Sequence, residues 1–90
     1  MKTVQYTEAQ VRSKAAALLE DMRRRGTYPP SMDTVRRLGL PRNGSRVIIG
    51  GTTHRVDRCY MDDYGQFCVY CPDCFVQEWP LWKVKLVIED

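Results

Sequence analysis

The chain has 90 residues, with 14 Lys or Arg against 11 Asp or Glu and a formal net charge of +3. This length fits one domain with a small core, and such domains often gain stability from a bound metal. No apolar run approaches a membrane span, and the N-terminal residues lack the apolar segment of a signal peptide, so we expect a cytoplasmic protein rather than a membrane or secreted one.

The charge is divided unevenly along the chain. Residues 1–46 hold ten basic and four acidic residues, a net charge of +6, whereas residues 47–90 hold four basic and seven acidic residues, a net charge of −3. We therefore expect a single domain, 1–90, with a basic helical part (1–45) and a β-rich, zinc-binding part (46–90). The basic part is the one suited to meet a polyanion.

The first predicted element is an amphipathic helix. Thr7 and Gln10 form a capping box at its start, and Gly26 ends it. Apolar residues recur at helical spacing on one stripe: Val11, Ala15, Leu18, Leu19 and Met22.

Three arginines, Arg23 to Arg25, lie in the last turn of this helix. Basic side chains there interact favourably with the helix dipole, which makes a solvated helix end one interpretation. Clustered arginines are also typical of phosphate-binding surfaces. Both interpretations stay open.

A short second helix is predicted from Met32 to Leu38. Pro29 and Pro30 separate it from the first helix, and Ser31 is a favourable N-cap residue. We expect Met32, Val35 and Leu38 on its inner face and Gly39 as its C-terminal cap.

The segment 26–39 resembles the opening of the LexA-type winged helix-turn-helix domain. The residues that carry the resemblance are Gly26-x-x-Pro29-Pro30-Ser31-x-x-x-Val35-x-x-Leu38-Gly39. The resemblance implies DNA binding, with a third helix in the major groove and a β-hairpin wing. Residues 41–51 instead contain Gly44, a β-branched run and Gly50-Gly51, which favour a turn and a strand.

The rest of the chain is predicted to be β-structure. A short strand spans Val47 to Ile49, and the segments 53–61 and 66–70 form a hairpin around a turn at 62–65. A last strand, 82–88, places Trp82, Val84, Leu86 and Ile88 on a buried side. The expected fold is α+β, with the N-terminal helix and the short second helix packed on a small antiparallel sheet of three to four strands that carries a zinc knuckle.

All four cysteines lie in a 16-residue segment, five residues after the single histidine, His54. Thiolate and imidazole are preferred zinc ligands, and Cys71-Pro72-Asp73-Cys74 has the spacing of a metal knuckle. We expect one zinc ion bound by Cys59, Cys68, Cys71 and Cys74, or by a set in which His54 replaces Cys59 or Cys68. An iron–sulfur cluster is the alternative cofactor, and buried free cysteines that only pack are the alternative to a metal.

The turn at 62–65 allows two hairpin registers. A four-residue turn places Cys59 opposite Cys68 and His54 opposite Asp73. A three-residue turn with a glycine bulge places Tyr60 opposite Cys68 and His54 opposite Cys74. A one-residue slip exchanges the two faces, so the sequence leaves the direction of Cys59 open.

No pattern typical of catalysis is found. Four thiols beside one imidazole are more typical of ligands than of a nucleophile and its base, and Gly50-Gly51 lacks the Lys and Ser/Thr of a phosphate loop. We expect a non-enzymatic, zinc-stabilised regulator that binds nucleic acid through its arginines: Arg23, Arg24, Arg25, Arg36, Arg37, Arg42 and Arg46.

The alternative function is that of a small phage or mobile-element protein that binds and modulates a host protein complex. Phe75, Trp79, Leu81 and Trp82, around Pro80, would then form an aromatic anchor patch. The same large aromatic residues equally fit a core that covers the hairpin.

Overall fold

A computed structural model describes residues 2–26 and 32–88. In chain order its elements are β1 (Lys2–Val4), α1 (Glu8–Arg25), α2 (Met32–Leu38), β2 (Arg46–Ile49), β3 (Thr52–Arg55), β4 (Arg58–Met61), β5 (Phe67–Tyr70), β6 (Glu78–Pro80), a 3-10 helix (Leu81–Lys83) and β7 (Lys85–Ile88). The α+β class is confirmed. The predicted N-cap Ser31 and the proline turn before it lie outside the described residues.

Helix α1 begins and ends as its sequence predicts. The Thr7 side chain accepts from the Gln10 amide, the Gln10 side chain accepts from the Thr7 amide at 2.8 Å, and Gly26 closes the helix with a φ of 65°. The inner stripe is Val11, Ala15 and Leu18. The assignment of Leu19 to that stripe was wrong, because its side chain is 48% exposed.

The buried position in the last part of α1 belongs to an acid, Asp21. Its carboxylate accepts a hydrogen bond of 2.9 Å from the hydroxyl of the buried Thr34 in α2, and Arg24 and Arg25 each place a nitrogen 3.1 Å away. The Thr34 bond, followed by the charges of Arg25 and Arg24, lowers the pKa of Asp21 despite its burial. The hydrogen bond between Thr34 and Asp21 thus connects α2 to α1.

Helix α2 has the predicted bounds, although its packing differs at one end. Val35 and Leu38 pack against the core, whereas Met32 is 51% exposed and its predicted inner position was wrong. At the other end Gly39 adopts a φ of 71°. The Tyr6 hydroxyl donates to the Gly39 carbonyl at 2.8 Å, and Lys14 donates to the carbonyl of Leu38, so side chains before and in α1 satisfy carbonyls at the end of α2.

The described strands form two antiparallel sheets rather than the single sheet expected. One has four strands in the order β1-β7-β2-β3, and the other has three in the order β4-β5-β6. The long first arm of the predicted hairpin is divided at Val56, whose amide and carbonyl bond to Ser45 and Gly44, whereas the next amide, of Asp57, donates to Tyr70. The chain therefore leaves the four-stranded sheet and enters the three-stranded one within two residues.

Both sheets turn one face to a common core with α1. The buried residues include Val47, Leu86 and Val84 near the four-stranded sheet, and Phe67 and Val69 in the other. Trp82, predicted as the start of the last strand, lies instead in the 3-10 helix and packs against this core. The outer faces of the sheets are the surfaces directed away from it.

The positive φ of Gly39 leads to a stability prediction. A Cβ at this position would lie 2.6 Å from the Tyr6 hydroxyl oxygen, whereas a Cβ at Gly26, which has a similar φ, would meet nothing within 4 Å. We expect Gly26→Ala to cost about 1 kcal/mol of unfolding free energy through backbone strain, and Gly39→Ala clearly more because the Tyr6 contact is also lost. Urea unfolding of both variants measures the difference. Equal losses would contradict the role assigned to the Tyr6 contact.

A second prediction concerns Asp21 and pH. Because its pKa is lowered in the folded state, its stabilising contribution is present above the unfolded pKa and is lost as the pH falls through the folded pKa. Unfolding free energy measured from about pH 6 down to about pH 2 is expected to fall more steeply in the native protein than in Asp21→Asn. Asp33→Asn, which alters an exposed acid in α2, is the matched control. Parallel pH profiles for the native protein and Asp21→Asn would contradict this role.

Candidate functional site

The β4–β5 hairpin decides where three of the cysteines lie. Its register pairs Tyr60 with Cys68 and Cys59 with Val69, and the Asp62 amide donates to the Gln66 carbonyl at 2.8 Å. This is the register of the three-residue turn, with Gly65 at a φ of 77°. The prediction that this register also places His54 opposite Cys74 was wrong, because His54 belongs to β3 and pairs with Val47.

The cysteines divide between the two faces of the hairpin. Cys59 and Val69 face the core, and Cys71, two residues after Val69, is fully buried there. Strand β5 continues regularly to Tyr70, so Cys68 lies on the opposite, outer face. Among residues 2–26 and 32–88, no group of three or more His, Cys, Asp or Glu side chains is placed to hold a metal ion. The complete four-cysteine ligand set is therefore not assembled around one point.

His54 lies beside the predicted knuckle. Its Nδ1 is buried, is 3.5 Å from the Asp73 Oδ1, and has no hydrogen-bond partner among the described residues. Within the knuckle, the Cys74 amide donates to the Cys71 carbonyl at 3.1 Å. Cys59 and Cys71 share the core-facing side of the hairpin, and Cys68 does not. The predicted ligand set that agrees with this placement is the one in which His54 replaces Cys68.

Without a bound metal, burial favours the neutral form of the core-facing thiols. Burial, together with the nearby Cys68, raises the pKa of Cys59 to about 12. Burial, with Cys74 and Asp73 close by, raises the pKa of Cys71 to about 11. A neutral thiol is a poor nucleophile, and as placed these two side chains pack as small apolar groups.

The residues of the predicted aromatic anchor patch are also divided between the core and the surface. Leu81 is buried, and Trp79 and Trp82 pack against the core, which favours the core interpretation for them. Phe75 is fully exposed and Val76 is half exposed, both in the loop between β5 and β6.

The predicted nucleic-acid contacts lie in several elements. At the end of α1, Arg23 pairs with Glu20, and Arg24 and Arg25 pair with Asp21. Other exposed basic side chains lie in α2, in the loop after it and in the four-stranded sheet: Arg36, Arg37, Arg42, Arg46, Arg55 and Lys85.

Strand pairing brings some of these side chains together on one surface. Arg46 and Arg55 are direct cross-strand partners, and Lys85 lies opposite Ile48 on the same outer face. We call this surface, composed of Arg46, Ile48, Thr53, Arg55 and Lys85, the basic sheet face. Sequence reasoning missed Arg55 and Lys85, because they enter only through the register of β2 with β3 and β7.

A groove adjoins the basic sheet face. Its volume is about 340 Å³, and it is lined by Arg36 of α2, Arg42 of the following loop and the β7 residues 86–88. The lining also includes Ser45, which precedes Arg46, and Val87, which lies two residues after Lys85 on β7. The two arginines therefore line a groove that reaches residues close in sequence to the basic sheet face.

Searches against protein-family models, curated proteins and solved structures found no match to this chain. No helix in the described part of the chain is long and apolar enough to cross a membrane.

The predicted zinc ion is tested by comparing cysteines on the two faces. We expect protein purified without added metal to hold about one zinc per chain, and Cys74→Ser to remove it. Cys68→Ser is the matched control and should retain the metal, because Cys68 lies on the opposite face of β5 from Cys59 and Cys71. Elemental analysis of both variants gives the stoichiometry. Metal-free native protein, or equal loss in both variants, would contradict this ligand set.

Proposed function

We propose that this protein binds nucleic acid, with the basic sheet face as the contact surface. The observation that carries the proposal is the direct pairing of Arg46 with Arg55 on that face. This register places two guanidinium side chains beside each other on one face, where one anionic group can interact with both.

The composition of the surrounding sheet supports the same proposal. The four strands contain four basic residues, Lys2, Arg46, Arg55 and Lys85, and no acidic residue. Since neighbouring strands lie about 4.8 Å apart, the three cations of the outer face extend over roughly 10 Å across β7, β2 and β3. Charges spread over a surface suit a polymer with repeated phosphates better than a single small anion.

The arginines of α2 and its following loop extend this surface. Arg36 and Arg42 line the adjoining groove, and no acidic side chain is among the described residues that line it. The arginines at the end of α1 pair with Glu20 and Asp21 of the same helix. We rank Arg46, Arg55, Arg42 and Arg36 above Arg23 to Arg25 as phosphate contacts because they lie on the basic sheet face or line the groove.

Binding to a host protein complex is the second candidate, and the exposed Phe75 and Val76 favour it. An apolar pair in one loop is a small anchor, since Trp79, Leu81 and Trp82 pack into the core. Saturable binding of the purified protein to nucleic acid is expected for the first candidate and not for the second, so this measurement separates them.

Salt dependence of binding tests the nucleic-acid proposal. We expect affinity for a fluorescent oligonucleotide to fall steeply with salt, because phosphate contacts release counterions. Arg46→Gln and Arg55→Gln should each weaken binding and reduce the slope of log K against log [salt] by about one. Arg23→Gln, at the paired helix end, is the matched control and should change the slope little. Absence of binding at low salt, or an equal effect of all three variants, would contradict the proposed surface.

A further inference from the structure

The outer face of the three-stranded sheet carries two tyrosines and an arginine. Arg58 pairs with Tyr70 and Tyr60 pairs with Cys68, and these four side chains share a face because the intervening Cys59 and Val69 point to the core. The Arg58 guanidinium carbon lies 5.5 Å from the Tyr60 ring centre and 5.1 Å from that of Tyr70. Arg58, Tyr60 and Tyr70 are called the stacking platform below.

The stacking platform is accessible. Arg58 is exposed, and both tyrosines are partly exposed. Glu78 of β6 is the cross-strand partner of Tyr70 and lies on the same face. Planar guanidinium groups and tyrosine rings are the side chains on which unpaired bases stack.

The platform follows the basic sheet face closely along the chain. Only Val56 and Asp57 separate Arg55 from Arg58, so their Cα atoms are at most about 11 Å apart. Asn43 holds this junction: its side chain donates to the Asp57 carbonyl at 2.7 Å and accepts from Arg55 at 3.3 Å. The cationic and aromatic residues thus follow each other along the chain within this distance.

We propose that the preferred ligand is single-stranded nucleic acid, with phosphates on the basic sheet face and one or two bases on the stacking platform. This inference rests on the proposed nucleic-acid binding. In a duplex the bases stack on each other and their faces are not available to Tyr60, Arg58 and Tyr70. The segment after Gly39 forms a turn and strand β2 rather than a recognition helix, so the described residues offer no third helix for a duplex groove.

The experiment measures anisotropy of a labelled oligonucleotide of about 16 nucleotides, a length within the range of small single-strand binders. The probes are the DNA strand, the RNA strand of the same sequence and the DNA duplex. The protein variants are Tyr70→Leu, Tyr70→Phe and, as matched control, Tyr64→Leu at the exposed hairpin turn. Thermal unfolding of each variant checks that it is folded.

We expect at least one single strand to bind about tenfold or more tightly than the duplex, and Tyr70→Leu to lose about 5-fold to 150-fold in affinity for it. Tyr70→Phe keeps the ring and should bind as the native protein does, and so should Tyr64→Leu. Equal affinity for duplex and single strand, or full binding by folded Tyr70→Leu, would overturn the inference. If Arg46→Gln and Arg55→Gln still weaken binding in that case, nucleic-acid binding stands and only the stacking platform is rejected. If none of the three probes binds, both proposals fail.

Discussion

The constraint on which the rest of this structure depends is that the two sheets share one core with one helix. The inner stripe of α1, Val11, Ala15 and Leu18, belongs to the same buried cluster as Val47 of one sheet and Val69 of the other. A chain of 90 residues does not supply apolar side chains for a second core of similar size. Each sheet therefore turns one apolar side to this core, and the exposed or partly exposed arginines and tyrosines lie on the opposite sides.

Features set by neighbouring residues were predictable from the sequence. The capping box of Thr7 and Gln10, the glycine that ends α1 and the bounds of α2 all follow from local backbone chemistry, and all are confirmed. The hairpin register was one of two alternatives, and Gly65 at positive φ corresponds to the three-residue turn. Such features depend on a few adjacent residues, so one sequence is sufficient to identify them.

Features set by distant partners were not predictable in the same way. The burial of Asp21 depends on Thr34, thirteen residues away. The division of the long hairpin arm depends on bonds from Val56 to the loop before β2 and from Asp57 to β5. The same limit applies to the candidate site. Arg55 has no special sequence context, and only its pairing with Arg46 makes it part of a cationic surface. On a regular strand Cys68 is expected to face opposite to Cys71, and whether the strand stays regular to Tyr70 was the open question; β5 does so.

The Arg46–Arg55 pair has a consequence for how long the folded chain persists. Strand β3, which carries Arg55, lies at the edge of its sheet and is hydrogen-bonded to β2. An anion bound across Arg46 and Arg55 would bridge these two strands and shift the folding equilibrium toward the folded state by mass action. Proteolysis acts on opened molecules, so the ligand-free form would be degraded faster than the bound form. The abundance of the protein would then increase with the fraction of molecules that have an anion bound to this surface.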